Sequence, residues 1–189
     1  IAIPLLIFTL YDKVFSGLIR DESKTFFIPE QTEAMMTYYV NNGVKGYVIL
    51  PDSSRVWLNS GSSLDFPAEF NNTCRVVTLS GEGYFDIRPD KEWPFYVKTP
   101  KNILVKVTGT EFNLSCYVND PAFKLTLING SVELIREENN KKINVRPNEE
   151  IIIRDNSFLE DNKMNADIGY TTAWKEGYLT FENTPMDEV

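Results

Sequence analysis

Few polar residues in this sequence have a type and spacing that could support chemistry. Asp52 lies in Pro51-Asp52-Ser53-Ser54 between two apolar runs, Arg75 and Glu82 flank Gly81, and Trp57, Trp93 and Trp174 are spread along the chain. An Asp in such a turn accepts backbone N–H bonds in an Asx-type arrangement. No further oxygen ligands follow it at calcium-loop spacing, so it reads as a turn residue and not a metal ligand. Arg75 and Glu82 read as a solvated pair around a turn at Gly81. The three tryptophans could form a sugar-stacking platform, but packing in a β core or turn accounts for them more simply. Carboxylate pairs are the only acid–base groups in supply, and nothing in the spacing makes any two of them converge.

Composition removes other chemistries. The 189 residues contain no histidine, so neither a Ser-His-Asp nor a Cys-His centre can be assembled within the chain. Two cysteines and no histidine cannot enclose a structural zinc ion. A net charge of -8 without a basic cluster is a poor match for a phosphate backbone, so no nucleic-acid partner is expected. Twelve Phe, nine Tyr and three Trp among many Val, Ile and Thr favour strands.

The elements that must position these residues are short. Apolar runs at 47–50, 55–58, 75–79, 84–87, 95–99, 103–107, 110–118, 124–128, 132–135, 143–145 and 151–153 end at turn clusters. Such regular short spacing belongs to a sandwich or barrel. Ile103, Val105 and Val107 share one face, with Asn102 and Lys106 on the other, and Thr110, Phe112, Leu114 and Cys116 share a face opposite Glu111, Asn113 and Ser115. That alternation predicts half-buried strands in an antiparallel arrangement. Asn129-Gly130 between two runs predicts a type I′ hairpin, and Gly109-Thr110 predicts a tight bend between core strands. The expected fold is all-β, an antiparallel sandwich or roll of about 10–12 short strands, behind a helical or irregular N-terminal segment.

The remaining features are bland. Cys116 falls on an apolar face and reads as a small buried hydrophobe. Cys74 has the parity opposite to Val77 and Leu79, so it is expected to point outward and to be poorly placed for a bridge to Cys116. Asn71-Asn72-Thr73, Asn113-Leu114-Ser115 and Asn129-Gly130-Ser131 match the glycosylation pattern, two of them inside a strand or tight turn. Residues 136–142 are charged and read as a solvated hairpin tip. Residues 30–39 suit a short helix. Residues 1–11 carry no charge, yet an 11-residue helix spans about 16 Å against about 30 Å of hydrocarbon. They fit the end of a membrane helix, the remnant of a signal peptide or a buried segment.

Gly46-Tyr47-Val48-Ile49-Leu50-Pro51-Asp52-Ser53-Ser54-Arg55-Val56-Trp57-Leu58-Asn59-Ser60 resembles the opening of a FecR-type periplasmic domain. Further blocks follow in the family's order: Phe66-Pro67, then Arg75-Val76-Val77-Thr78-Leu79-Ser80-Gly81-Glu82-Gly83-Tyr84-Phe85, Trp93-Pro94-Phe95-Tyr96-Val97-Lys98-Thr99, Val107-Thr108-Gly109-Thr110-Glu111-Phe112, Thr126-Leu127-Ile128-Asn129-Gly130-Ser131-Val132, Arg146-Pro147-Asn148-Glu149 and Trp174-Lys175-Glu176-Gly177-Tyr178-Leu179-Thr180-Phe181. The resemblance covers residues 43–189 and is to the Bacteroidetes branch. Ser53, Gly83 and Asn148 depart from the family's usual Gly, Ala and Gly. These positions concern turns and packing; Ser53 must tolerate a Cβ in its turn, and Asn suits positive φ.

The resemblance implies a single-pass inner-membrane regulator of a sigma factor. In that family a cytoplasmic segment binds the sigma factor, and a periplasmic β domain with a small C-terminal α/β domain receives a signal from an outer-membrane TonB-dependent transducer. On that basis residues 1–11 end a membrane helix, 12–42 form a juxtamembrane connector, 43–173 the FecR-like domain, and 174–189 its last strand and the start of the C-terminal domain. The motif positions carried over are Pro51, Asp52, Trp57, Leu58, Asn59, Arg75, Gly81, Glu82, Phe85, Pro94, Phe95, Gly109, Thr110, Phe112, Gly130, Trp174 and Phe181, with structural roles expected. No catalytic residue, cofactor or metal is implied. A secreted carbohydrate-binding or adhesive sandwich, using exposed Trp57 or Trp93, is the alternative.

Overall fold

Short apolar runs, several of them alternating with polar residues, form strands that fold into two layers sharing one strand. A computed structural model describes residues 34–154 and 163–178. The first strands are β1 (Met35–Tyr39), β2 (Gly46–Ile49), β3 (Arg55–Leu58), β4 (Ser63–Pro67) and β5 (Arg75–Asp86). The middle ones are β6 (Phe95–Lys98), β7 (Ile103–Val107), β8 (Glu111–Cys116) and β9 (Phe123–Asn129). The last are β10 (Val132–Arg136), β11 (Lys142–Val145), β12 (Glu149–Ile153) and β13 (Lys163–Asn165), followed by helix α1 (Ile168–Glu176). The all-β expectation is met.

One layer runs β1-β4-β5-β6-β7-β10-β11 and the other β2-β3-β5-β8-β9-β12-β13. The first half of β5 pairs with β4 and β6; its second half pairs with β3 and β8. All pairings are antiparallel except β5 with β6. Between the facing layers lies one core, including Val56, Leu58, Leu64, Val77, Leu79, Phe85, Phe95, Phe112 and Leu114. Phe85 and Phe112 face each other across β5 and β8 and stack, centroids 4.9 Å apart and planes 5° apart.

Several local expectations give way to this topology. Ser80-Gly81-Glu82 is not a turn between two strands but the point where β5 bends from one layer into the other. Gly81 has φ 108°, and a Cβ there would lie 2.7 Å from the Ser62 Cα, so the corner has no room for a side chain. Asn129-Gly130 does not close a hairpin. β9 pairs with β8 and β12, β10 with β7 and β11, and of the two turn residues only Gly130 has positive φ. The turn chemistry is local, whereas the core rewards sending β10 across to the other layer.

Residues 35–39 form a strand at the sheet edge, not part of a helix over 30–39, because pairing with β4 satisfies their backbone. Cys74 is buried, not outward. It joins Val76, Tyr96, Leu104 and Ile135 in a second apolar cluster on the outer face of the β1 layer. Parity placed Cys74 on the correct face; the error was to treat that face as wet. Both cysteines are free. Arg136, expected in a solvated tip, is buried at the end of β10, while residues 137–139 are exposed. Residues 1–33, with the expected membrane-helix end and most of the connector, and 179–189, with Phe181, lie outside the described residues. Among the described residues no helix is long and apolar enough to cross a membrane.

Candidate functional site

Two polar assemblies organise the motif residues. The first is buried where the β2–β3 turn meets the start of β5. Asp52 Oδ1 accepts the Ser54 N–H at 3.0 Å, which makes the Asx turn and lets Ser53 adopt φ 71°. Asp52 Oδ2 accepts from Ser54 Oγ and from Arg75 Nη1, each at 2.7 Å. Arg75 also donates to the carbonyls of Trp93 and Arg88 at 2.9 Å. Its own N–H donates to the Pro94 carbonyl, fixing the chain before Phe95. The guanidinium carbon lies 5.3 and 5.4 Å from the ring centroids of Trp93 and Phe95. Arg75 therefore has Asp52, not Glu82, as its partner, and neither side chain of that pair is solvated. Such a pair fixes geometry more than it supplies stability.

The second assembly lies on the outer face of the β2 layer. Glu82 accepts from Asn59 Nδ2 at 2.7 Å and from Asn113 Nδ2 at 2.9 Å. Asn113 Oδ1 accepts the Trp174 indole N–H at 3.2 Å. Four residues, from the turn after β3, from β5, from β8 and from α1, thus form one chain. Beside it, Trp57 packs against Tyr47 and Tyr84, with centroids 5.0 and 5.7 Å away. Lys175 on α1 sets its ammonium 4.2 Å from the Tyr84 centroid and 4.9 Å from that of Trp57. The Tyr84 hydroxyl donates to Glu111; burial, with that carboxylate beside it, holds its pKa well above the usual phenol range. Arg55 and Asp86 pair at the rim.

Helix α1 is seated on this face with modest apolar burial; Ala173 is its buried residue. Asp167 caps its start by accepting the Tyr170 N–H, and Gly177 ends it at φ 95°. The helix covers Asn113, which is why a strand residue on the nominally solvent-facing parity is buried.

The remaining motif residues hold the frame. Pro51 is exposed at the β2–β3 turn and Leu58 is buried in the core. Gly109 and Gly130 lie on two of the connections that cross between layers, β7–β8 and β9–β10. A Cβ at Gly109 would lie 2.5 Å from the Pro89 Cα, and one at Gly130 would lie 2.7 Å from the Gly109 carbonyl oxygen. Thr110 Oγ1 donates to the Ser131 carbonyl at 2.9 Å, tying the crossings together. Sequence reasoning missed Asn113, Ser54, whose Oγ accepts the Arg88 N–H at 3.0 Å, and Ser62, whose Oγ accepts the Glu82 N–H at 2.9 Å. Nothing in their local pattern signals partners many residues away. Trp57 and Trp93 do not offer the open ring faces that sugar stacking needs: Lys175 lies over Trp57, and Trp93 packs with Arg75 and Phe70 while its N–H donates to the Asn71 carbonyl. Among the described residues no three Cys, Asp or Glu side chains gather as metal ligands.

Residues 36–133 match the FecR protein family. This chain belongs to the FecR family. Two solved structures agree. Each is titled a "putative anti-sigma factor" from Parabacteroides distasonis ATCC 8503. One has 34% identity and a TM-score of 0.72, with 82% of this chain and 71% of that one covered. The other has 34% identity and a TM-score of 0.71, with coverage of 80% and 70%. No curated protein matches. The FecR match begins inside β1 and ends in β10, so it takes in β5 and both glycine crossings.

Proposed function

We propose that this chain is a signal-relay part of an anti-sigma factor and acts by protein contact, not by catalysis. Support comes from FecR membership together with the 34% identity to chains titled as anti-sigma factors. The observation that carries the relay reading is the chain Asn59–Glu82–Asn113–Trp174. It ties Asn59 in the turn after β3, Glu82 of β5 and Asn113 of β8 to a short helix at the C-terminal side of the domain. A helix seated by a few polar and cation–π contacts can transmit a pull or a displacement to the sheet below it.

In this reading the domain lies in the periplasm. Residues 1–11 belong to a helix anchored in the inner membrane, and the juxtamembrane connector 12–42 leads from it to the FecR domain. A TonB-dependent outer-membrane transducer supplies the signal through the region beyond α1. An extracytoplasmic-function sigma factor receives it through a cytoplasmic segment that precedes this chain. The test is binding between the transducer's periplasmic signalling domain and this chain extended at its C-terminus, measured by calorimetry beside a sigma-dependent reporter. Association, with a reporter response lost on Trp174→Ala, is expected. Lack of association and an unresponsive reporter would overturn the relay.

A further inference from the structure

The four outer strands of the two layers differ in how they guard their edges. β11 and β13 each begin with a lysine, and β2 begins with glycine after Lys45. β1 is Met35-Met36-Thr37-Tyr38-Tyr39, without charge, proline or glycine, and all five residues are exposed. Edge strands of soluble proteins ordinarily carry such a guard because their unpaired backbone groups template further pairing.

The backbone of β1 fixes which groups are free. Val40 N–H donates to the Ser62 carbonyl and the Ala34 carbonyl accepts from Ala68 N–H, so the even-numbered residues of this stretch point their backbone groups toward β4. In an antiparallel strand the odd-numbered ones then point the other way. Met35, Thr37 and Tyr39 present N–H and C=O to the outer edge, where no described strand pairs with them.

We infer that this edge pairs with the same edge of a second copy of the chain, antiparallel about a twofold axis at Thr37. The strand is self-complementary in that register. Thr37 meets Thr37 as a hydrogen-bonded pair. Met36 meets Tyr38 of the second copy on the face continuous with the core, and Met35 meets Tyr39 on the outer face. Methionine sulfur against an aromatic ring is a favourable cross-strand neighbour. No like charges oppose each other across the pairing, and the contact is isologous, so it closes at two copies. The β1 layers become one continuous sheet. Each copy carries a net charge of -8, so pairing strengthens with salt. This inference does not depend on the relay reading.

Sedimentation equilibrium of the whole chain, at low and high salt, tests it. A concentration-dependent dimer is expected. Thr37→Pro removes an outward N–H and spares the backbone bonds to β4, losing on that side only the hydroxyl's bond to Asp65, and weakens the dimer at least about tenfold. Thr37→Lys, which sets two ammonium groups on the axis, does the same and serves if the proline disturbs β1. Ile49→Lys, on the edge of β2, leaves the dimer unchanged. A chain that stays monomeric at every concentration, a dimer indifferent to both Thr37 variants, or one weakened by Ile49→Lys instead, overturns it.

Discussion

Asp52 and Arg75 stand 23 positions apart in the sequence, yet their side chains meet at 2.7 Å with 1% and 0% of their surfaces exposed. The pair ties the β2–β3 turn to the first residue of β5, and through Arg75 to the loop that carries Trp93 and Pro94.

Removing one partner strands a buried charge. Asp52→Ala is expected to cost about 3–5 kcal/mol in urea denaturation. The double variant Asp52→Ala with Arg75→Met recovers part of that loss. Arg55→Ala, at the exposed pair with Asp86, costs less than about 1 kcal/mol. Equal losses for Asp52→Ala and Arg55→Ala would show that burial does not govern these pairs.

The glycine crossings predict a graded series. Gly109→Ala and Gly130→Ala place a Cβ within 2.5 and 2.7 Å of backbone atoms, at φ 140° and 94°. Each lowers stability by more than about 2 kcal/mol, since both strain and overlap act. Gly43→Ala has φ 80° but open space around it, so it costs only the backbone term, about 1 kcal/mol. Melting temperatures of the three variants check the order.

Cys116 predicts an alkaline limit. Burial pushes its thiol from 9.0 up to about 12. The folded state keeps the proton where the unfolded chain releases it. Stability from this group is therefore complete below pH 9 and is lost as pH rises toward 12. The slope is about 1.4 kcal/mol per pH unit within that window. The raised phenols of Tyr84, Tyr96 and Tyr117 act in the same direction at higher pH. Cys116→Ala flattens the urea-midpoint profile between pH 9 and 10, and a profile of unchanged slope would count against the assignment.

Helix α1 should detach without unfolding the sheets. Trp174→Ala removes the indole bond to Asn113 and leaves Glu82 bound to Asn59 and Asn113. Hydrogen exchange over residues 168–176 rises while β5 and β8 keep their protection. Coincident loss of protection in β8 would mean that the helix is part of the cooperative core.

Strand existence was legible in the residues themselves. Ile103, Val105 and Val107 alternate because one face of β7 meets the core, and β3 was bounded at the residues where it occurs because turn residues close both ends. The Ser53 and Asn148 turns were legible for the same reason: φ values of 71° and 66° are local demands. What the tertiary structure alone decided is which strand lies beside which and what covers each face. Asn129-Gly130 carries hairpin chemistry but leads across the layers, Gly81 bends a strand instead of ending it, and Met35–Tyr39 becomes a strand only because β4 offers it a partner. Cys74, Asn113 and Arg75 have the parity or polarity of surface positions and are buried, by the outer apolar cluster, by α1 and by Asp52 with the Trp93 loop. Backbone preference and side-chain alternation act over a few residues, so sequence carries them. Burial on a second face and the pairing of distant charges depend on segments far along the chain, and no local pattern records them.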